Sequence, residues 1–291
     1  MLIRLFALAT VFMLAFPVLA AEPPRKFVLD NTEIIPLKSR HTGRSHEVVI
    51  VFPESYGKEP KRTYPVFYYL DAYWDTPLLV STYGNLRYDN QIPEILMVGL
   101  SYPAGDSYDV RRRQDYTPTA IDAKSGGADK FLAFIRDEVA PLVEKNYRGE
   151  KTDRILGGVS LGGLFTLYAA YNQPDFFSGY IAISPAVSWD KQVMLKVDET
   201  FAKKQRALPA RMFVSYGSTE YAPFRLPIEQ FQKRLEQQSH KNLALLNYVM
   251  DGIDHTAVKG DGYVRGLTWV LQPKKPAGPA GLERDMKAAG E

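Results

Sequence analysis

From about residue 26 to 272, short apolar runs rich in β-branched and aromatic residues alternate with longer stretches that repeat at helical spacing. That alternation predicts a mostly parallel sheet crossed by helices. Strands are expected at 47–52, 65–70, 95–101, 154–159, 179–184, 211–216 and 243–250. The runs before Leu70 and around Met97 are continuously apolar, as in strands buried on both faces. Helices are expected at 128–147, 161–171, 226–238 and 258–270. In the first of these, Phe131, Leu132, Ile135, Val139, Leu142 and Val143 share one face, with charges opposite. The second is apolar all round and therefore buried, and Asn172-Gln173-Pro174 ends it.

The segment 191–209 places Val193, Leu195, Val197 and Phe201 at amphipathic spacing, which fits either an ordinary crossover helix or a cap over a site. No period repeats, and nothing marks a domain boundary inside 21–272, so a single domain is expected. The tail 273–291, with Lys274, Lys275, Pro276, Gly278, Pro279 and Gly281, has too little apolar content to pack and is expected to be disordered.

Residues 1–20 change the picture at the N-terminus. Arg4 precedes an apolar run that ends in Val18-Leu19-Ala20, the layout of a secretory signal peptide with cleavage between Ala20 and Ala21. A membrane anchor is the alternative, but the run is short, contains Pro17 and ends in small residues. A periplasmic or secreted protein with no stable membrane insertion is expected. The remaining 291 − 20 = 271 residues carry a formal charge of +3 − 1 = +2, since Arg4 is the one charge lost. The small basic excess is spread out, so it does not indicate nucleic-acid binding. An anionic small-molecule substrate stays compatible with it. The absence of cysteine excludes disulfides, thiolate metal sites and a cysteine nucleophile.

The sequence Gly158-Val159-Ser160-Leu161-Gly162 fits Gly-x-Ser-x-Gly at the junction of an expected strand and an expected helix. Such a tight turn forces strained backbone angles on the serine and needs glycine on either side. Ser160 is the expected nucleophile, and the Leu161 N–H at the helix start is an expected oxyanion donor. A glycine-lined turn that only permits close packing, or that cradles a phosphate, is the bland alternative.

Serine needs a base. Of the four histidines, His255 follows the last expected strand on a short loop at its carboxyl end, where parallel sheets bind ligands. Glu220, directly after strand 211–216, is the expected acid, and Asp190 is the alternative. Asp254 adjoins His255 too closely to orient it. The order serine, acid, histidine is that of the α/β-hydrolase fold. A second oxyanion donor is expected from Ala72 or Tyr73 in the loop after strand 65–70. The chemistry calls for no metal and no organic cofactor.

Beyond these residues, the chain resembles the putative-esterase family that includes esterase D, feruloyl esterases and siderophore esterases of the enterobactin type. The resemblance spans roughly residues 45–272. It rests on Tyr64-Pro65-Val66 running into Leu70-Asp71, on Val98-Gly99-Leu100, Asp115-Tyr116-Thr117-Pro118, 157–163, Ser184-Pro185-Ala186-Val187-Ser188-Trp189 and Asp254-His255. It implies a serine carboxylic-ester hydrolase, with catechol-bearing serine lactones as one substrate class. On that footing Arg111, Arg112, Arg113 and Trp189 are candidate substrate contacts. The arginines equally suit salt bridges to Asp106, Asp109 or Asp115. Ser188-Trp189 departs from the tryptophan pair common in relatives. An acyltransferase of the same fold, or an exported binding protein without chemistry, are the other readings.

Overall fold

The computed structural model describes residues 26–204, 206–272 and 281–290, apart from the side chain of Leu282. The expected signal peptide and residues 273–280 lie outside the described residues. Contacts separate Met1–Asp30 from a unit Asn31–Glu291 that holds every element below.

Eight strands form one sheet in the order β1-β2-β4-β3-β5-β6-β7-β8. They are β1 (Thr32–Lys38), β2 (Ser45–Val51), β3 (Tyr64–Tyr69), β4 (Leu96–Ser101), β5 (Gly149–Val159), β6 (Gly179–Ile183), β7 (Arg211–Gly217) and β8 (Ala244–Met250). The pairs β1·β2 and β2·β4 are antiparallel, and the remaining pairs are parallel. The strand alternation sends successive side chains to opposite faces. Val66, Tyr68, Leu156, Ala182 and Val214 fill one core layer. Phe67, Tyr69, Ile155, Ile181 and Phe213 fill the other.

Helices α1 (Ala72–Tyr88), α2 (Tyr108–Tyr116), α3 (Ala128–Phe134), α4 (Ala140–Asn146), α5 (Leu161–Asn172), α6 (Trp189–Lys203), α7 (Ala222–Gln238) and α8 (Val258–Val270) connect these strands. Buried residues of α1 and α8 join the second core layer, and those of α3 to α7 join the first. All seven expected strands are present.

Five elements differ from expectation, the first being α2, since no helix is expected at 108–116. Strand β1 carries Pro36 and two exposed charged residues, Glu33 and Lys38, which obscure its pattern and protect a sheet edge. The expected helix 128–147 contains a π-helical turn, Ile135–Val139, before α4. Pro141 then follows directly, as the second residue of α4. The segment expected as a loop after β3 is the start of α1, whose buried Leu79, Tyr83 and Leu86 are interrupted by Pro77, Gly84 and Asn85. Finally, the tail is not wholly without structure, because α9 (Gly281–Ala289) is helical. Its helix formers and the Glu283–Lys287 pair support it, the Tyr88 hydroxyl donates to Asp285 and Arg284 donates to the Tyr88 carbonyl, while the Pro/Gly run before it masks the signal in the sequence.

His46 of β2 is buried, stacks on Phe134 with centroids 4.5 Å apart and bonds Thr42 Oγ1 through Nε2 at 2.7 Å. Burial chiefly, then Arg44 and Arg111, lowers its pKa to about 3. The unfolded chain titrates near the ordinary value of 6.5, so between pH 6.5 and 3 it takes up a proton that the folded chain refuses. Stability contributed by neutral His46 is therefore lost as pH falls through that window. Thermal denaturation from pH 7 to 4 is expected to show a slope steeper in the wild type than in His46→Gln by close to one proton, about 1.4 kcal/mol per pH unit. Parallel slopes would contradict this.

Candidate active site

The carboxyl ends of β5, β6, β7 and β8, adjacent in the sheet, carry Ser160, Ser184, Glu220 and His255 in turn. Ser160 has φ 58° and ψ −117°, a strained conformation for a residue with a side chain. Three backbone bonds hold it there. Its N–H donates to Ile183 O at 3.0 Å, and its C=O accepts from Leu164 and Ala186, each at 2.9 Å. A Cβ at Gly158 would lie 2.7 Å from the carbonyl carbon of Gly162, so the strand and helix meet this closely only because position 158 is glycine. The elbow expected from the sequence is formed.

His255 and Glu220 come together as a pair. Nδ1 of His255 lies 2.8 Å from Glu220 Oε2, and the ring packs edge-on against Phe224 at 4.7 Å. The Glu220 side chain is 0 % exposed and that of His255 41 %, so the pair runs from the interior to the surface. Burial, the largest influence, pushes the Glu220 pKa up, but bonds from His255, Ser184 and the Gly217 N–H outweigh it and hold the group below its ordinary value. An ionised carboxylate accepts the Nδ1 proton and leaves Nε2 free as a base.

Sequence reasoning missed Ser184. Its hydroxyl donates to Glu220 at 2.6 and 2.8 Å, lies 3.0 Å from His255 Nδ1, and is completely buried. The signals were its position at a strand end before Pro185 and its place in the Ser184–Trp189 stretch of the family resemblance. Ser184 follows Ile183, the residue bonded to the Ser160 N–H, which ties the acid and base to the elbow. Among the described residues no side chain is hydrogen-bonded to the Ser160 hydroxyl or to His255 Nε2, and catalytic bonds of this kind often form fully only around a substrate.

The alternatives fall elsewhere. Asp190 adopts a left-handed conformation at the start of α6, outside the His255 pair. Asp254 caps the chain before α8 through Thr256 and Ala257 N–H groups. His41 faces Asp137, and His240 is held by buried Asp198. Segment 191–209 contributes to α6, whose Met194, Asp198 and Phe201 are buried, as in a crossover helix.

Leu161 opens α5, and Ala72 and Tyr73 open α1, so none of their N–H groups has a carbonyl four residues back. Strands β3 and β5 are neighbours, which brings the two helix starts to one edge.

The arginines need correction. Arg112 is not free for substrate, because its Nε and Nη2 grip Asp71 at 3.1 and 2.9 Å and its side chain is 14 % exposed. Arg111 pairs with Asp106 at 3.0 Å and Arg113 with Asp122 at 2.7 Å. Asp115 is taken by Arg44. Arg113 also stacks over the Trp189 ring at 5.3 Å, while Trp189 Nε1 donates to Thr119 O at 3.3 Å. Asp71 and Asp122 lie too far along the chain for pattern reading to have paired them.

Among the described residues no cluster of three or more His, Asp or Glu is arranged to hold a metal ion. Among them, too, no helix is long and apolar enough to cross a membrane.

Glu220→Gln is expected to lower kcat about 10⁴-fold with KM little changed, because an amide facing Nδ1 favours the wrong tautomer. Steady-state kinetics on an activated ester checks this, and a loss under about tenfold would remove Glu220 from the role.

A serine elbow at the carboxyl end of one strand and a histidine held by a buried carboxylate at the same end of a mostly parallel sheet fit the α/β-hydrolase fold. The chain belongs to the family described as Putative esterase, whose model matches residues 39–252. It is a carboxylic ester hydrolase. It is 26 % identical over 285 residues to the ferri-bacillibactin esterase BesA of Bacillus subtilis, covering 86 % of this chain and 93 % of that one. To the siderophore triacetylfusarinine C esterase of Aspergillus fumigatus it is 31 % identical over 206 residues, 61 % of this chain and 70 % of the other. The crystal structure of the BES protein from Bacillus cereus superposes with a TM-score of 0.77 at 25 % identity, over 86 % of this chain and 98 % of that one.

Proposed function

We propose that this chain is an exported siderophore esterase that opens ester bonds by acyl transfer from Ser160. The observation that carries the mechanism is the Glu220–His255 pair, 2.8 Å between heavy atoms with the carboxylate buried, at the same end of the sheet as a left-handed serine. Ser160 Oγ attacks the ester carbonyl while His255 Nε2 takes its proton. Glu220 and Ser184 hold the resulting imidazolium. The N–H of Leu161, with that of Ala72 or Tyr73, receives the negative charge on the carbonyl oxygen. His255 then returns the proton to the departing alcohol, and a water activated by the same nitrogen releases the acid.

Two relatives named for siderophore substrates support the substrate class. So do the exposed rings flanking the site. Tyr73 adjoins the proposed oxyanion donors and is 71 % exposed, Trp74 is 49 % exposed, and Tyr221 beside Glu220 is 76 % exposed. Aromatic faces of this kind suit the planar aryl groups of a catecholate. The expected signal sequence at residues 1–20 places the activity outside the cytoplasm in this reading.

Hydrolysis of an enterobactin-type trilactone beside p-nitrophenyl acetate, with Ser160→Ala as control, tests the proposal. Turnover of the lactone with kcat/KM well above that of the acetate is expected. Turnover of the simple ester alone would discard the siderophore class and keep the mechanism. Wild-type rates in Ser160→Ala would discard both.

A further inference from the structure

Helix α1 begins directly after Asp71, which has φ 57° and ψ 36°. That left-handed turn delivers the Trp74 and Asp75 N–H groups to the Asp71 carbonyl, at 2.9 and 3.0 Å. It leaves the N–H groups of Ala72 and Tyr73 as the open start of the helix. The Asp71 carboxylate is buried, 1 % exposed, and rests against the elbow, since a Cβ on Gly162 would come within 3.6 Å of its Oδ2. A bare negative charge in that place opposes the charge that develops on a carbonyl oxygen between the α1 and α5 starts.

Tyr108, Arg112 and Tyr116, at positions i, i+4 and i+8 of α2, turn one side of that helix to Asp71. Arg112 grips both oxygens, and Tyr108 OH donates to Oδ1 at 2.8 Å. Tyr116 OH accepts the Asp71 N–H at 3.3 Å, and the Arg112 guanidinium lies over the Tyr116 ring at 5.8 Å. Across the helix, Asp75 is bound by Lys259 and, at 2.7 Å, by Tyr263 OH, both from α8. The first turn of α1 is thus tied on two sides.

We propose that Arg112 is a positioning residue for the oxyanion hole, holding Asp71 in its left-handed turn and cancelling its charge beside the reacting carbonyl. The proposal rests on the reading of Ser160 as nucleophile. Arg112 touches no substrate in it, so its effect falls on the charged transition state and not on binding of the neutral ester.

The test measures p-nitrophenyl acetate hydrolysis, and inhibition by phenylboronic acid, for the full chain and for Arg112→Gln, Asp71→Asn/Arg112→Gln and Ser160→Ala. Arg112→Gln is expected to lose about 100-fold in kcat, the size of one lost oxyanion donor, with KM within about twofold. Boronate inhibition weakens in parallel, since the tetrahedral adduct on Ser160 carries the same negative charge. The double variant, which removes the unpaired carboxylate, regains about tenfold over Arg112→Gln. An unchanged kcat in Arg112→Gln, a loss confined to KM, or a double variant no faster than the single one would overturn the proposal. Ser160→Ala at the wild-type rate would instead strike the nucleophile assignment. If Arg112→Gln does not fold, Arg112→Lys takes its place, with charge kept and the two-pronged grip lost. A kcat loss of about tenfold at constant KM is then expected, and a wild-type kcat overturns the idea.

Discussion

Ser160→Ala and His255→Ala are each expected to lower kcat toward an activated ester by about 10⁵- to 10⁶-fold, and the double variant no further. A serine hydroxyl is a poor nucleophile until a base removes its proton, and in the proposed mechanism His255, held by Glu220 and Ser184, is that base. Once either partner is gone the other has nothing to act on, so the losses overlap. What survives is the contribution of the helix-start N–H groups and of binding, about 10³- to 10⁴-fold over the uncatalysed rate. Steady-state rates, with phosphonate titration of active sites to exclude wild-type carry-over, decide the matter. Losses that multiply in the double variant would mean that the two residues act independently and are not nucleophile and base.

Gly158→Ala is expected to destabilise the fold by about 3 kcal/mol or more. The added methyl would meet the Gly162 carbonyl carbon at 2.7 Å, its oxygen at 2.8 Å and Leu70 Cδ1 at 2.9 Å. A leucine methyl moves aside, but the α5 backbone does not, because Leu164, Phe165 and Leu167 lock it into the core. Gly162→Ala is milder, with its nearest neighbour, Leu70 Cδ1, at 3.3 Å. Urea denaturation of the two variants beside wild type is the check, and equal midpoints for Gly158→Ala and wild type would refute the close-approach account.

The parts legible in the sequence were those written locally. The central strands announce themselves as apolar runs, and the elbow needs only one strand, two glycines and one helix. His255 and Glu220 could be singled out as a pair because strand ends and chain order constrain them, and the structure brings them to 2.8 Å. In the sequence the arginines suit substrate contacts or salt bridges to nearby acids, and Arg112's actual partner, Asp71, was out of reach because it lies 41 residues away and nothing near either residue signals the pairing. Ser184 was invisible for a related reason. A serine at a strand end is common, and its function exists only once Glu220, 36 residues on, folds against it. Helix α1 was hidden by Pro77, Gly84 and Asn85, which its packing against the sheet overrides.

The four groups at the centre of the site hang from four successive strands, β5 to β8, spread over 95 residues of chain from Ser160 to His255. No fragment shorter than that half of the sheet holds even a rudimentary site. Turnover is therefore a gauge of folding itself. During refolding it should return only when the last strand has docked, in step with the slowest structural probe, and limited cleavage between β7 and β8 should silence the enzyme while most of its secondary structure persists.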